Sequence, residues 1–289
     1  MSKKIGVIIL NYISYKVTIK CVNYFLRQNQ TGYEVQIIIV DNDSPNSSFK
    51  ILQKRYKNHS SIHVVKTTSN LGFANGNNYG YKELLKYMNP DFVIMSNSDA
   101  FVKKDGLYKW IDMAYSRYSF GILGPSIYSL SQKFYQNPGE NLSKEISILK
   151  KYKFDLEKGL INAYVKYLFH LPSKQGSIDK WDNPYYHDIH LDKTLHGAFE
   201  IFSKKYFNYY ELPYDPRTFM YLEENILRIR CEQAKLPMVY LPTYTVYHLQ
   251  SASTSEANST LNRRKCFKLK NMIKSLNIYI KIIKKLQND

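Results

Sequence analysis

The chain has 289 residues, 44% of them hydrophobic, and a formal charge of +17 at neutral pH. That length suits one elaborated domain or two small ones with a large core, and no apolar run reaches the roughly 18 residues of a membrane span. The basic surplus argues against an indifferent neutral surface and favours an anionic partner: a phosphorylated small molecule, nucleic acid or an anionic membrane face. Cys21, Cys231 and Cys266 are odd in number, widely spaced and form no metal pattern, which points to a reduced, cytoplasmic compartment.

Residues 5–10 (Ile-Gly-Val-Ile-Ile-Leu) are too short for the apolar core of a leader and lack a small-residue cleavage site, so they predict a first buried strand. Helical periodicity follows at 14–27, a second strand at 35–40 and a helix at 47–56. A third strand is predicted at 62–66, a helix at 76–87 stopped by Asn89-Pro90, and a fourth strand at 92–96. Strand-helix alternation with continuous apolar strands predicts an α/β fold with a mostly parallel sheet and flanking helices. The pattern then loosens from about 129 to 193, with breaks at 137–139 and 172–176 and one helix expected at 160–169. Order returns at 194–202, followed by a helix at 223–235 and a strand at 238–241. From 261 onward one long helical pattern carries nine Lys/Arg, with the terminal Asp289 as the sole acid. Three regions result: 1–128, 129–258 and 259–289.

Polar clusters stand where the first four strands end. They are Asn11-Tyr12, Asp41-Asn42-Asp43-Ser44, the Asn- and Gly-rich run at 70–80, and Asn97-Ser98-Asp99. In a parallel sheet these ends open on one edge, where open α/β sheets bind their ligands. Gly72, Gly76 and Gly80 make no dinucleotide fingerprint, yet they let backbone approach a ligand at a helix start. A carboxylate such as Asp99 at that edge suits a hard divalent cation shared with substrate phosphates. Glu223 and Glu224 open a helix, a place that also favours acids through the helix dipole alone.

These blocks, with His196-Gly-Ala-Phe199, Tyr221-Leu-Glu-Glu224 and Val246-Tyr-His248, resemble inverting family-2 glycosyltransferases, especially the rhamnosyltransferase-like branch of bacterial surface-polysaccharide synthesis. The resemblance spans about 4–128 and 194–254. It implies a GT-A fold, with 1–128 as the nucleotide-sugar-binding region and 129–258 as the acceptor-binding and catalytic-base region of the same domain. It implies that Asp41 hydrogen-bonds a pyrimidine base beside Asn11, Tyr12 and Asn42. Asn70, Gly72, Phe73, Asn78, Asn97 and Ser98 would complete the donor site. Asp99 and His248 would hold Mn²⁺ or Mg²⁺, Glu224 (or its neighbour Glu223) would be the base, and His196 and Gly197 would meet the acceptor. Asn97 replaces the first acid of the family's metal motif, and Glu224 stands where Asp is more usual.

The expected activity is inverting transfer from a UDP- or dTDP-sugar, dTDP-rhamnose or a UDP-hexose, to a glycan or lipid-linked saccharide. The alternatives are a sugar-phosphate nucleotidyltransferase, which would want a Gly-rich loop after the first strand, and a basic nucleic-acid-binding protein, for which no binding motif accompanies the charge. The 259–289 helix has apolar residues at helical spacing between lysines. That suits a helix lying on an anionic membrane at the inner face of the plasma membrane, the expectation preferred here, or one docked on the protein or on a second copy in a homodimer.

Overall fold

The four apolar runs of the first hundred residues become parallel strands. In the computed structural model, which describes residues 2–172, 185–250 and 260–288, β1 (Lys3–Asn11), β2 (Tyr33–Asp41), β3 (Ile62–Lys66) and β4 (Phe92–Asn97) lie in the order β3-β2-β1-β4. Ile5, Ile8, Ile9, Ile38 and Val93 are fully buried, as strands covered on both faces require. Helices α1 (Tyr15–Leu26), α2 (Ser48–Tyr56) and α3 (Gly72–Leu84) carry the chain back between them. On α1 the buried Thr18, Cys21, Val22 and Phe25 recur at the spacing of one helix face. α3 starts at Gly72 rather than at 76 and ends before 87. Its glycines weaken the helical signal but serve close packing: a Cβ at Gly80 would lie 2.6 Å from Ile8 Cγ2, and one at Gly76 would lie 2.7 Å from Leu10 Cδ1.

After β4 come β5 (Ala100–Phe101), α4 (Leu107–Tyr118), β6 (Ile122–Ser129), α5 (Ile146–Leu168), β7 (Phe199–Ser203), α6 (Lys204–Phe207), α7 (Glu223–Gln233), β8 (Met238–His248) and α8 (Leu261–Asn288). The sheet continues with β7 antiparallel to β4, β6 antiparallel to β7, β8 parallel to β6, and β5 antiparallel to β8. These directions decide where the chemistry sits. The C-terminal ends of β1, β2, β4 and β8 and the N-terminal end of β7 all reach one edge, so Asn97, His248 and the 196–198 segment converge there.

Two elements run longer than expected. α5 begins at Ile146 rather than near 160, because only Leu149 and Leu156 mark its buried face in that stretch, among lysines. β8 continues past 241 through Pro242, which cannot donate to the ladder. The strand absorbs this in a bulge, where the partner of β6 jumps from Leu241 to Thr245.

The lysine-rich tail forms α8, and here the structure corrects the membrane-lying expectation for that helix. Its Leu276, Tyr279, Ile280 and Ile283 are buried with Leu149 and Leu156 of α5 and Ile226 and Ile229 of α7. The side chains that would enter lipid already sit in a protein core, and each such burial is worth about 1.5–3 kcal/mol. Among the described residues no helix is long and apolar enough to cross a membrane. The boundary expected at 258/259 and all but the first residue of the break expected at 172–176 lie outside the described residues.

Candidate active site

At the converging edge lies a cavity of about 880 Å³. One wall is formed by Tyr12, Asn42, Asn70, Gly72 and Phe73, with Asn97, Ser98 and Asp99 beside them. The opposite wall carries His196, Gly197, Glu223 and Glu224. Tyr164 and Tyr167 of α5 and Arg263 and Lys270 of α8 complete it. These four, which the sequence reading missed, carry no motif; only the packing of α8 along α5 brings them there.

The strand-end polar groups of the first half are tied to one another. Asn11 and Asp41 are register partners on β1 and β2, and Asn11 Nδ2 donates to Asp41 Oδ2 at 2.8 Å. Ser44 N–H donates to Asp41 Oδ1 at 2.9 Å, while Asn11 Oδ1 accepts from Thr18 at 2.7 Å. Asn11 and Asp41 are fully buried and do not line the cavity. The expected base contact by Asp41 is therefore replaced by a scaffolding one. Asn78 is also withdrawn from the site, since both ends of its amide bind the Tyr214 backbone at 2.9 and 3.0 Å. Asn42 does face the cavity and organises the next loop, donating to Gly72 O at 3.0 Å and accepting from Leu71 N–H at 2.9 Å. Gly72 has φ +76°, and a Cβ there would lie 2.2 Å from Phe219 O. Only glycine allows that approach, which lets Phe73 N–H donate to Phe219 O at 2.7 Å.

Asp99 and His248 meet as the pairing of Ala100 with His248 dictates. Asp99 Oδ1 stands 3.2 Å from His248 Nε2, and Gln136 Oε1 accepts from His248 Nδ1 at 2.8 Å. Gln136 engages Nδ1, which leaves Nε2 as the ring nitrogen that faces the Asp99 carboxylate. An outer oxygen bonded to the far ring nitrogen is the usual support for a metal-bound histidine. One carboxylate and one imidazole thus fit Mg²⁺ or Mn²⁺ when diphosphate oxygens and water complete the shell. Among the described residues no group of three or more His, Cys, Asp or Glu is placed to hold a metal.

His196 sits beside His248, ring centroids 5.7 Å apart. Its Nδ1 accepts from Ala198 N–H at 3.1 Å, and its own N–H donates to Asn137 Oδ1 at 3.0 Å through the backbone. Burial, reinforced by His248, pulls its pKa down to about 3, so it is neutral.

The two glutamates differ. Glu224 is half-buried and its Oε1 accepts from Gly197 N–H at 3.2 Å; burial raises its pKa, while that bond and the helix-start N–H oppose the rise. Glu223 is buried and its Oε1 has no hydrogen-bond partner. Burial first, and the charge of Glu224 second, push its pKa up to about 8. Behind them lies a third carboxyl that the sequence reading missed, Glu200 on β7. It is fully buried, with Oε2 accepting from the Tyr214 hydroxyl at 2.6 Å and Oε1 unpartnered. Its burial, with Glu224 nearby, holds its pKa well above the usual range. Its strand pattern is that of any apolar run with one polar residue, so only the three-dimensional arrangement reveals the cluster.

Comparison with known proteins fits this geometry. The sequence profile of glycosyl transferase family 2 matches residues 6–168, more than half of the chain. The chain belongs to that family. A poly(ribitol-phosphate) beta-glucosyltransferase of Bacillus spizizenii is 25% identical over 121 residues, 42% of this chain and 19% of that protein. Among solved structures, S. aureus TarS 1–349 in complex with UDP-GlcNAc superposes with a TM-score of 0.54 at 14% identity, covering 89% of this chain and 62% of that one. GalNAc-T7 with UDP, GalNAc and Mn²⁺ gives 0.57 at 11% identity, covering 85% and 43%. The fold is therefore that of the GT-A glycosyltransferases, and the chain spans about a fifth of the B. spizizenii relative and under two thirds of these structural neighbours. Family membership leaves the nucleotidyltransferase and nucleic-acid-binding alternatives without support.

Proposed function

We propose that this family-2 glycosyltransferase moves a sugar from a UDP-linked donor to a hydroxyl of a glycan or lipid-linked saccharide, with inversion. One observation carries the reading: the carboxylates of Glu224 and Asp99 line a single cavity at the sheet edge, with His248 buried 3.2 Å behind Asp99. In the proposed step Glu224 accepts the proton of the acceptor hydroxyl as its oxygen bonds to the anomeric carbon. The bond from that carbon to the diphosphate breaks, and its electron pair leaves with the nucleoside diphosphate. A single displacement of this kind inverts the centre and requires no covalent sugar intermediate. Mg²⁺ or Mn²⁺ held by Asp99 and His248 would supply the positive charge that a leaving diphosphate demands. Burial and the neighbouring Glu224 push the pKa of Glu223 up to about 8, whereas Glu224 is half-buried and accepts from Gly197 N–H at 3.2 Å, which supports Glu224 as the base.

UDP is placed ahead of dTDP because both structural neighbours were solved with UDP or a UDP-sugar. Arg263 and Lys270 on the cavity wall support an acceptor that carries phosphate, in keeping with the polymer named for the B. spizizenii relative. Three buried free thiols support a cytoplasmic site of action.

The test is a thermal-shift panel of UDP, dTDP, GDP and CDP with and without Mn²⁺. UDP should raise the melting temperature, more so with Mn²⁺, and His248→Ala should remove the Mn²⁺ increment. Stabilisation by dTDP alone would restore dTDP-rhamnose as donor; stabilisation by none of the four would overturn the donor-site reading.

A further inference from the structure

α5 is apolar on two opposite faces, and only one of them is covered. Leu149, Leu156 and Ala163 are buried, the first two in the cluster shared with α8. On the other side Phe154, Ile161, Val165 and Leu168 follow one another at intervals of seven, four and three, which places them on a single face. That face is open: Ile161 is 65% exposed and Leu168 68%, and Phe169 just beyond the helix is 71% exposed. Large apolar side chains exposed in a contiguous row mark a contact surface rather than ordinary scatter.

Charge identifies the partner. Lys150, Lys151 and Lys158 flank the row, Lys158 Nζ lying 4.2 Å from the Phe154 ring centroid, and the acid between Phe154 and Ile161, Glu157, is paired with Lys153 at 3.4 Å. Alongside, α8 presents nine Lys/Arg and no acid within its bounds. An apolar row edged by lysines matches a surface with an anionic skin and a hydrocarbon interior. We propose that the outer face of α5 docks on an anionic lipid bilayer, with Ile161, Val165 and Leu168 entering the headgroup boundary. The adjoining face of α5 carries Tyr164 and Tyr167 into the cavity wall. Docking would therefore set the cavity beside the bilayer, within reach of a lipid-linked acceptor. The helix that meets lipid is thus α5, while α8 braces it from behind.

The experiment is co-sedimentation of the full chain with vesicles rich in phosphatidylglycerol and with vesicles of phosphatidylcholine alone. The protein should partition onto the anionic vesicles, less so at high salt. Ile161→Glu with Leu168→Glu should lower that partitioning at least about tenfold. Lys150→Gln with Lys151→Gln and Lys158→Gln should lower it less and flatten the salt dependence. All five side chains are outside the core; Ile161→Ser with Leu168→Ser serves as a milder pair, and an unchanged melting temperature certifies the fold. Absence of vesicle binding by the unaltered protein, or equal binding by the glutamate pair, would overturn the proposal. So would a dimer that the glutamate pair dissociates without any vesicle binding, since the face would then serve a second copy. Vesicle binding is read without donor, so a protein that bound vesicles yet transferred no sugar would refute the transferase reading and leave this inference standing.

Discussion

The two walls of the crevice use their polar side chains in opposite ways. On the side of the first four strands, polar groups at and behind the wall satisfy one another: Asn11 with Asp41, Asp41 with Ser44, Asn42 with the 70–72 loop, and Asn78 with Tyr214. On the side of Glu224, carboxyl groups are buried with oxygens left over, Glu200 Oε1 and Glu223 Oε1 among them. A closed network makes a rigid cradle, because each removed partner strands another buried group. Unpaired buried carboxyls instead hold protons that an exposed acid would lose. One wall is thus built to hold its shape and the other to manage a proton, and substitutions on the two should fail differently.

The largest effect is expected at Glu224→Gln, which keeps the shape of the side chain and the bond from Gly197 N–H. Transfer should fall roughly 10²–10⁴-fold, the usual contribution of a general base, while stabilisation by UDP persists. Near-normal turnover would move the role to Glu223. Gly197→Ala should come next, since its Cβ would lie 2.7 Å from Glu224 Oε1 and 3.3 Å from Phe73 Cζ. Displacing a base by that much should reduce kcat by about 10²-fold, again with UDP affinity retained. Loss of UDP affinity instead would mean that Phe73, rather than the base, had moved.

On the side of the first four strands, Asp41→Ala should show itself as instability before anything else. It strands Ser44 N–H in the core and leaves Asn11 Nδ2 only its 3.4 Å bond to Ser44 Oγ, at about 1–3 kcal/mol for a buried group left unsatisfied. Urea unfolding should register that loss. If Asp41→Asn keeps full stability but abolishes the UDP-induced shift, Asp41 touches the base after all and the scaffolding role assigned to it falls.

What was legible follows from how local each signal is. Strands β1 to β4 announce themselves as apolar runs with polar ends, because a strand covered on both faces has no other composition. The order of those ends pointed to a common edge, and Asp99, Glu224 and Gly197 do meet there. Asn11, Asp41 and Asn78 stand near the ligand edge but are bonded within the protein and stay out of the cavity lining; hydrogen bonding between neighbouring strands and loops decides whether an amide faces ligand or scaffold, and spacing is blind to it. Gln136 and Glu200 were invisible for the same reason. α8 shows the limit of amphipathicity: an apolar stripe among lysines predicts a covered face, and only the packing of α5 and α7 says what covers it.

The effect most specific to the wall of Glu223 and Glu224 is a pH-dependent gain in stability for Glu223→Gln. The folded protein holds this carboxyl's pKa at about 8, against an ordinary 4.5, through burial and the neighbouring Glu224. Below 4.5 the group is protonated in both folded and unfolded chains and contributes no difference. Between there and about 8 the unfolded chain has lost the proton and the folded chain has kept it. The folded state then binds more protons, so the free energy of unfolding falls as pH rises. Glutamine cannot ionise and removes that decline. The variant and the unaltered protein should therefore unfold at similar urea concentrations near pH 5 and diverge toward pH 8, the variant being the more stable. A gap that stayed constant across that range would show Glu223 ionising without penalty, and the proton-holding character assigned to this wall would rest on Glu200 alone.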